Sequence, residues 1–265
     1  MYELNVEQFT KVLPLLDGIG NRAVYSLSVI EQIQHGRIFV DDAQQPTSVF
    51  VTNSGGFYCL AGQAHNEQFN HAVIAFMNEK ANHNGFYALG IFSDGWELAL
   101  NNYHLLSAKR IKRSYYKFNK EKFLEEFSTS TMEYGNGIEY SKLNVQIAHA
   151  YREMFYPYYK LVWESDSHFC KHGVGHFFLA NSKMISVCTS PYMSNNYAEI
   201  DVITIDGYRR TGLATKLAVE FIKDCVERQL TPNWSCHSDN LESNKLAIKL
   251  GFEKLDEHPM YWYHD

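Results

Sequence analysis

Residues 198–228 read AEIDVITIDGYRRTGLATKLAVEFIKDCVER. The run 198–204 is rich in β-branched residues and reads as a strand. A turn, Ile205-Asp206-Gly207-Tyr208, follows it. The segment Arg209-Arg210-Thr211-Gly212-Leu213-Ala214-Thr215 then opens directly into a helix. In that helix Leu213, Ala214, Leu217, Ala218, Phe221, Ile222, Cys225 and Val226 recur at alternating spacings of one and three, the apolar stripe of a helical period. A strand, a glycine-containing loop and a helix start can make an anion site. The first amides of a helix have no intrahelical acceptor, and the helix dipole adds partial positive charge there. Gly212 admits a phosphate close to the backbone, Ala214 leaves room beside it, and Arg209 and Arg210 can add charge-assisted hydrogen bonds. By spacing alone the loop is equally an ordinary strand–helix connection with solvated arginines. It lacks the G-x-x-x-x-G-K-[ST] of a P-loop, and it has one glycine where a dinucleotide fingerprint has three.

Downstream, residues 231–257 read TPNWSCHSDNLESNKLAIKLGFEKLDE. They predict a strand at 233–237, a helix over 241–250 and a last strand near 252–263. Asn240 and Ser243 stand at the helix start, Leu246, Ala247 and Leu250 form its buried face, and Gly251 ends it. Upstream, the pattern predicts a helix over 142–155 and strands at 175–180 and 183–189, with Asn181-Ser182 as the turn between them. The first half gives a helix over 24–35, stopped by Gly36. Strands follow at 37–41, 48–52 and 56–61, then a helix over 66–80. A strand at 86–92, a short helix at 94–101 and a strand at 110–118 complete it. Both halves therefore run helix, three strands, helix, strand, helix, strand. The expected fold is α/β with mixed sheets, built as two tandem lobes, 1–128 and 129–265, divided near the polar run Ser128-Thr129-Ser130-Thr131.

The chain has 265 residues, of which 45% are hydrophobic and 20% charged. Its 17 Phe, 18 Tyr and 4 Trp supply apolar surface to bury, which excludes a disordered chain. The net charge of −6 argues against a nonspecific nucleic-acid binder. It suits a cleft that attracts cationic substrates. The five cysteines show no C-x-x-C pair, which argues against a disulfide framework or a zinc ribbon. No metal site is expected. No apolar run is long enough for a membrane span, and the start MYELNVEQF lacks a secretory pattern, so a reduced, cytoplasmic, soluble protein is expected.

Together, residues 198–252 resemble the GNAT superfamily of acyl-CoA-dependent N-acetyltransferases. RRTGLA at 209–214 matches the pyrophosphate pattern [QR]-x-x-G-x-[GA] of that family. Asn240, Ser243, Gly251 and Phe252 match its later N-x-x-[AS] pattern before a helix ending in Gly-Phe. The wording is most similar to the zwittermicin-resistance-like branch, and the likeness extends more faintly through 37–62. The resemblance implies tandem GNAT-like lobes, with the acetyltransferase fold and the acetyl-CoA site in the second. It implies that the backbone of Val202, Ile203 and Thr204 pairs with the pantetheine arm. Arg209, Arg210, Thr211, Gly212, Leu213, Ala214 and Thr215 would hold the pyrophosphate, with Asn240 and Ser243 on the far side of the arm. It implies direct attack of a small-molecule amine on the thioester, with no covalent enzyme intermediate. Glu199 is the candidate base and Asp201 a second carboxylate, both expected on one face of the strand. The chain departs from the family at Ala247, where many members have a tyrosine that protonates the leaving thiolate; Tyr261, Tyr263 or water would then serve. That departure motivates the alternative of a noncatalytic acyl-CoA sensor on the same fold.

Three further signals carry less. His168-Phe169-Cys170-Lys171-His172 alternates metal-ligand types but lacks a second cluster, and reads as loop residues before a strand. The basic run over 109–117 reads as a solvated edge strand. The aromatic segment 151–159 reads as core packing. The first lobe has only Gly62 at the place of the phosphate loop, so no CoA is expected there, and that lobe is expected to shape the acceptor cleft.

Overall fold

The computed structural model describes residues 1–101, 103, 105, 108–155 and 159–265. The chain divides into two compact units, Met1–Arg113 with Glu257–Asp265, and Ser114–Asp256. The polar run at 128–131, expected as the boundary, lies inside the second unit.

The first unit carries β1 (Tyr2–Glu3), α1 (Val24–Ile30), β2 (Gly36–Val40), β3 (Ser48–Asn53), β4 (Phe57–Gly62), α2 (Glu67–Asn78), β5 (Phe86–Ile91) and α3 (Asp94–Asn101), and β6 (Lys109–Phe118) begins in it. β1 to β4 pair in sequence order, each antiparallel to the last. β4 and β5 are parallel, with α2 as the crossover. The central strands are buried on both faces, so they read as continuous apolar runs. Their side chains alternate between two cores. Phe39, Phe50, Tyr58 and Leu60 meet α2 and α3 through Phe69, Val73, Met77, Trp96 and Leu100. Ile38, Val40, Val49, Val51, Cys59 and Ala61 meet Val29, Ile30, Phe9 and Val12 on the other side.

The N-terminal helix is shorter than its periodicity predicts. The left-handed Gln32 (φ 58°) turns the chain after Ile30, and Gly36 opens the next strand instead of ending the helix. Two 3₁₀ segments, Val6–Leu16 and Gly20–Ala23, precede α1 and have no counterpart in the sequence reading.

The second unit begins with the end of β6 and continues with α4 (Lys120–Phe127), β7 (Ile138–Lys142), α5 (Val145–Met154), α6 (Tyr159–Val162), α7 (Asp166–His172), β8 (Gly175–Ala180) and β9 (Lys183–Thr189). It ends with β10 (Tyr197–Glu199), β11 (Asp201–Thr204), α8 (Leu213–Glu227), β12 (Thr231–His237), α9 (Leu241–Lys249) and β13 (Phe252–His264). Asn181 and Ser182 both take positive φ, 49° and 61°, the primed turn that a tight hairpin between β8 and β9 requires.

The helix expected over 142–155 starts three residues later, with Asn144 as its N-cap, because 138–142 pairs with β8 as an added edge strand. HFCKH is the end of α7, capped by Ser165 at the amide of His168 (3.0 Å), not a loop. Arg228 holds its C-terminal end by donating to the carbonyls of His172 (2.9 Å) and Gly173 (2.6 Å). Of the aromatic segment 151–159, Tyr151 is buried against Phe169 and Phe177, while 156–158 lie outside the described residues.

Candidate active site

The run 198–204, expected as one strand, is two. β10 pairs in parallel with β12, with Glu199 opposite Asn233. After Ile200 the chain changes partners, and β11 pairs antiparallel with β9, Asp201 opposite Thr189. The Ile200 amide still donates to the Asn233 carbonyl (2.9 Å), so the parting begins at Asp201. Among the described strands β11 pairs with β9 alone, and β12 runs on past Asn233 to His237 without β10 beside it. The result is a fork with Glu199 at its apex. One arm, Val202, Ile203 and Thr204, presents an unpaired strand edge. The alternation that put Glu199 and Asp201 on one face does not carry across the break, because the two residues belong to different sheets.

Glu199 is 2% exposed. Its carboxylate is gripped by β12 at both oxygens: Ser235 Oγ donates to Oε1 (2.5 Å), and Asn233 Nδ2 donates to Oε2. Asp201 is half-buried. Sequence reasoning missed Asn233 and Ser235. The signal was there: Asn233, Ser235 and His237 alternate with Trp234 and Cys236, and a polar face on a buried strand marks a lined site.

The loop after β11 has the shape of an anion cradle. Gly207 (φ 87°), Arg210 (61°) and Gly212 (84°) are all left-handed. Alternation of hand turns successive amides toward one concavity. Arg210 holds this conformation without being glycine, a strain of about 1 kcal/mol or more. Gly212 is the N-cap of α8 and supplies no side-chain cap to the first-turn amides. A Cβ built there would meet nothing within 4 Å. The opposite holds at α2, where Asn66 caps the amide of Phe69 (3.1 Å) and a Cβ on Gly62 would lie 2.2 Å from the Thr47 carbonyl. Uncapped amides beside open space fit a pyrophosphate. Arg209 turns back within the loop, Nε donating to the Thr204 carbonyl (3.1 Å) and the guanidinium 3.3 Å from Asp206. Arg210 is exposed, Leu213 is buried in the core, and Thr211 donates to the Tyr208 carbonyl.

Across the fork, Asn240 caps α9 at the amide of Ser243 (3.1 Å). The Ser243 hydroxyl accepts from the Trp234 indole (3.2 Å), which ties α9 to β12. Ala247 is fully buried. A tyrosine hydroxyl does reach this face of α9 from β6: Tyr116 donates to Asn244 Oδ1, three residues before Ala247. Tyr263 belongs to the other unit and donates to Asp265.

All five cysteines are free. Burial pushes the Cys59 thiol up to about 12 and raises Cys170, Cys188 and Cys225. Those four stay protonated and poorly nucleophilic. Among the described residues no group of three His, Cys, Asp or Glu is arranged to hold a metal, and no helix is long and apolar enough to cross a membrane.

The fork and the uncapped helix start beside it make up the candidate site, and likeness to known proteins shows the family of the chain. The GNAT acetyltransferase family model matches residues 14–261. The chain is 28% identical over 235 residues to YdfB, an uncharacterized N-acetyltransferase of Bacillus subtilis, covering 89% of this chain and 88% of that one. Its fold is similar to that of a GCN5-related N-acetyltransferase-like protein from Streptococcus suis (TM-score 0.73, 23% identity, 97% and 99% of the two chains). It is also similar to a tandem GNAT protein from the clavulanic acid biosynthesis pathway (TM-score 0.64, 10% identity, 98% and 94%). The chain belongs to the GNAT acetyltransferase family. It is an N-acetyltransferase, with acetyl-CoA as its cosubstrate.

Proposed function

We propose that the protein moves the acetyl group of acetyl-CoA to the amine of a small molecule by direct attack. The observation that carries this reading is the fork at Ile200, with a buried carboxylate at its apex and an uncapped helix start beyond one arm. Bound acetyl-CoA supplies an activated thioester.

The free edge of Val202, Ile203 and Thr204 offers amides and carbonyls to an extended amide-bearing arm. The amides of Arg210, Thr211, Gly212, Leu213, Ala214 and Thr215 hold the pyrophosphate, favoured by the α8 dipole. Arg209 serves that site by fixing the loop, and Arg210 adds positive charge at its rim. Asn240 and Ser243 close the far side. An ammonium group cannot attack until it loses a proton, and Glu199 is the base that takes it. Because Glu199 is so buried, the proton reaches it through its hydrogen-bonded neighbourhood. Asp201, half-buried on the adjoining arm, attracts the cationic acceptor.

Calorimetric titration with acetyl-CoA tests the cosubstrate site, and thiol release over a panel of small amines tests transfer. Saturable binding and amine-dependent thiol release are expected. Glu199→Gln should cut turnover roughly 10²- to 10⁴-fold while binding persists. Binding without thiol release for any amine would overturn the proposed transfer.

A further inference from the structure

The alternation of an antiparallel ladder decides which main-chain groups of β11 face the fork. The pairing with β9 runs past the end of the strand, where the Ile205 amide donates to the Ile185 carbonyl (3.0 Å). Opposed residues that exchange main-chain bonds recur at every second place. Ile203 therefore turns its amide and carbonyl toward Val187 on β9, and the buried Ser186 hydroxyl also donates to that carbonyl (3.3 Å). Val202 and Thr204 turn theirs the other way, to the free edge. Thr204 stands opposite Ser186, and the two hydroxyls meet at 2.8 Å, which fixes the Thr204 side chain on the β9 side. The edge would thus present the amide and the carbonyl of both Val202 and Thr204. Arg209 covers one of these groups, because its Nε donates to the Thr204 carbonyl (3.1 Å). The rest of its guanidinium lies 3.3 Å from Asp206, on a side chain that is 66% exposed.

We propose that Arg209 is a positioning residue that acts through Nε, covering the Thr204 carbonyl so that the free edge ends on a donor where the anion cradle begins. This deepens the reading of the loop as the pyrophosphate site and rests on it. A bare carbonyl at that corner would turn the negative end of its dipole onto the path of an anion. With it covered, the edge keeps the Val202 amide, the Val202 carbonyl and the Thr204 amide. The last of these continues into the donor amides of the loop. The guanidinium charge is the smaller part of the role, since Asp206 offsets it and both groups are solvated. The two parts can be separated by chemistry. Glutamine carries its Nε2 donor the same number of bonds from Cα as arginine carries Nε, and it has no charge. Lysine keeps the charge and has a methylene at that place.

Calorimetric titration of the full chain with acetyl-CoA reads the dissociation constant in three variants. Arg209→Gln loses only the charge and should weaken binding about threefold. Arg209→Lys loses the covering donor and should weaken it about tenfold. Arg209→Met loses both, for a loss of roughly 30-fold. Melting temperatures should stay within a few degrees of one another, because an exposed side chain contributes little to stability. The order of Arg209→Gln and Arg209→Lys decides. Binding by Arg209→Lys as tight as by Arg209→Gln, or tighter, would make charge the whole role and overturn the proposal. Equal losses in all three variants, or no loss in any, would overturn it too. Failure of the pyrophosphate reading looks different, because Gly212→Val would then leave acetyl-CoA binding intact whatever stands at position 209.

Discussion

Glycines that look alike in the sequence do different work. Gly251 (φ 84°) ends α9, its amide donating to the Ile248 carbonyl (3.1 Å), as its place after the helix suggests. A Cβ there would also come within 2.9 Å of the Phe123 backbone on α4, a contact no local pattern reveals. Gly212 has the same backbone hand and nothing around it. The first is kept by packing; the second leaves room over the amides of α8. The two should therefore respond differently to substitution. Gly212→Val puts a β-branched residue in the left-handed region, at about 1–2 kcal/mol, yet buries nothing and strikes nothing. Its melting temperature should fall by only a few degrees, while the dissociation constant for acetyl-CoA, read by calorimetry, rises on the order of 100-fold. Gly251→Val should do the reverse, with a large thermal loss and, in any folded fraction, near-normal binding. Equal losses of stability and binding at Gly212 would mark that loop as a plain connection.

Among the elements, those with strong period and clear punctuation were legible: β2 to β5, α2, β8, β9, α8 and α9 fall within a residue or two of their expected bounds. The misses have physical causes. The fork at Ile200 depends on which strand lies alongside, and a β-rich heptamer looks the same whether it keeps one partner or changes. α4 was hidden by its charge, since only Phe123 and Phe127 are buried on it. The packing of α8 on β8 and β9 was also invisible. His176 is fully buried, its Nδ1 2.7 Å from the Tyr140 hydroxyl and its Nε2 3.3 Å from Asp224, which Lys142 approaches at 3.2 Å. Burial pushes the Tyr140 hydroxyl well up. The close approach of the His176 ring, helped by the charge of Lys142, holds the Asp224 carboxyl below its usual value. A depressed carboxyl adds stability that is complete above the unfolded pKa, about 3.9, and is lost as pH falls through the folded one. Asp224→Asn should cost about 2 kcal/mol near neutrality, roughly 4–8 °C of melting temperature. The fall in melting temperature below about pH 4 should be shallower than in the parent chain. Parallel melting curves from neutral to strongly acid pH would contradict this account.

At the scale of the whole chain, the repeated order of elements was readable, but the route of the chain between its units was not. A repeat in the sequence suggests two segments placed end to end. The structure assigns the last nine residues, Glu257–Asp265, to the first unit. There Met260 to His264 lie antiparallel to β5, from Gly90 back to Phe86. The C-terminal strand thus gives the first unit the partner for β5 that its own sequence would be expected to supply. Local pattern carries no record of this, because a strand encodes its face and not its neighbour. The contribution is large in side chains as well as in ladder bonds. Tyr263 is buried in the α2-side core and stacks on Tyr87 (5.2 Å), Trp262 meets Phe86 (4.8 Å), and Met260 is buried. Ending the chain at Asp256 should therefore damage the unit farthest from the cut in sequence. β5 would be left as a long apolar edge open to aggregation. Loss of Tyr263 alone would cost about 3–5 kcal/mol by analogy with aromatic truncation, and the buried Met260 goes with it. Hydrogen exchange locates the damage. The amides of Phe86–Ile91 should lose protection in the truncated chain, while those of α8 and β12 in the second unit keep most of theirs. If protection collapsed first in α8 and β12, the last strand would be acting on the second unit, contrary to this assignment.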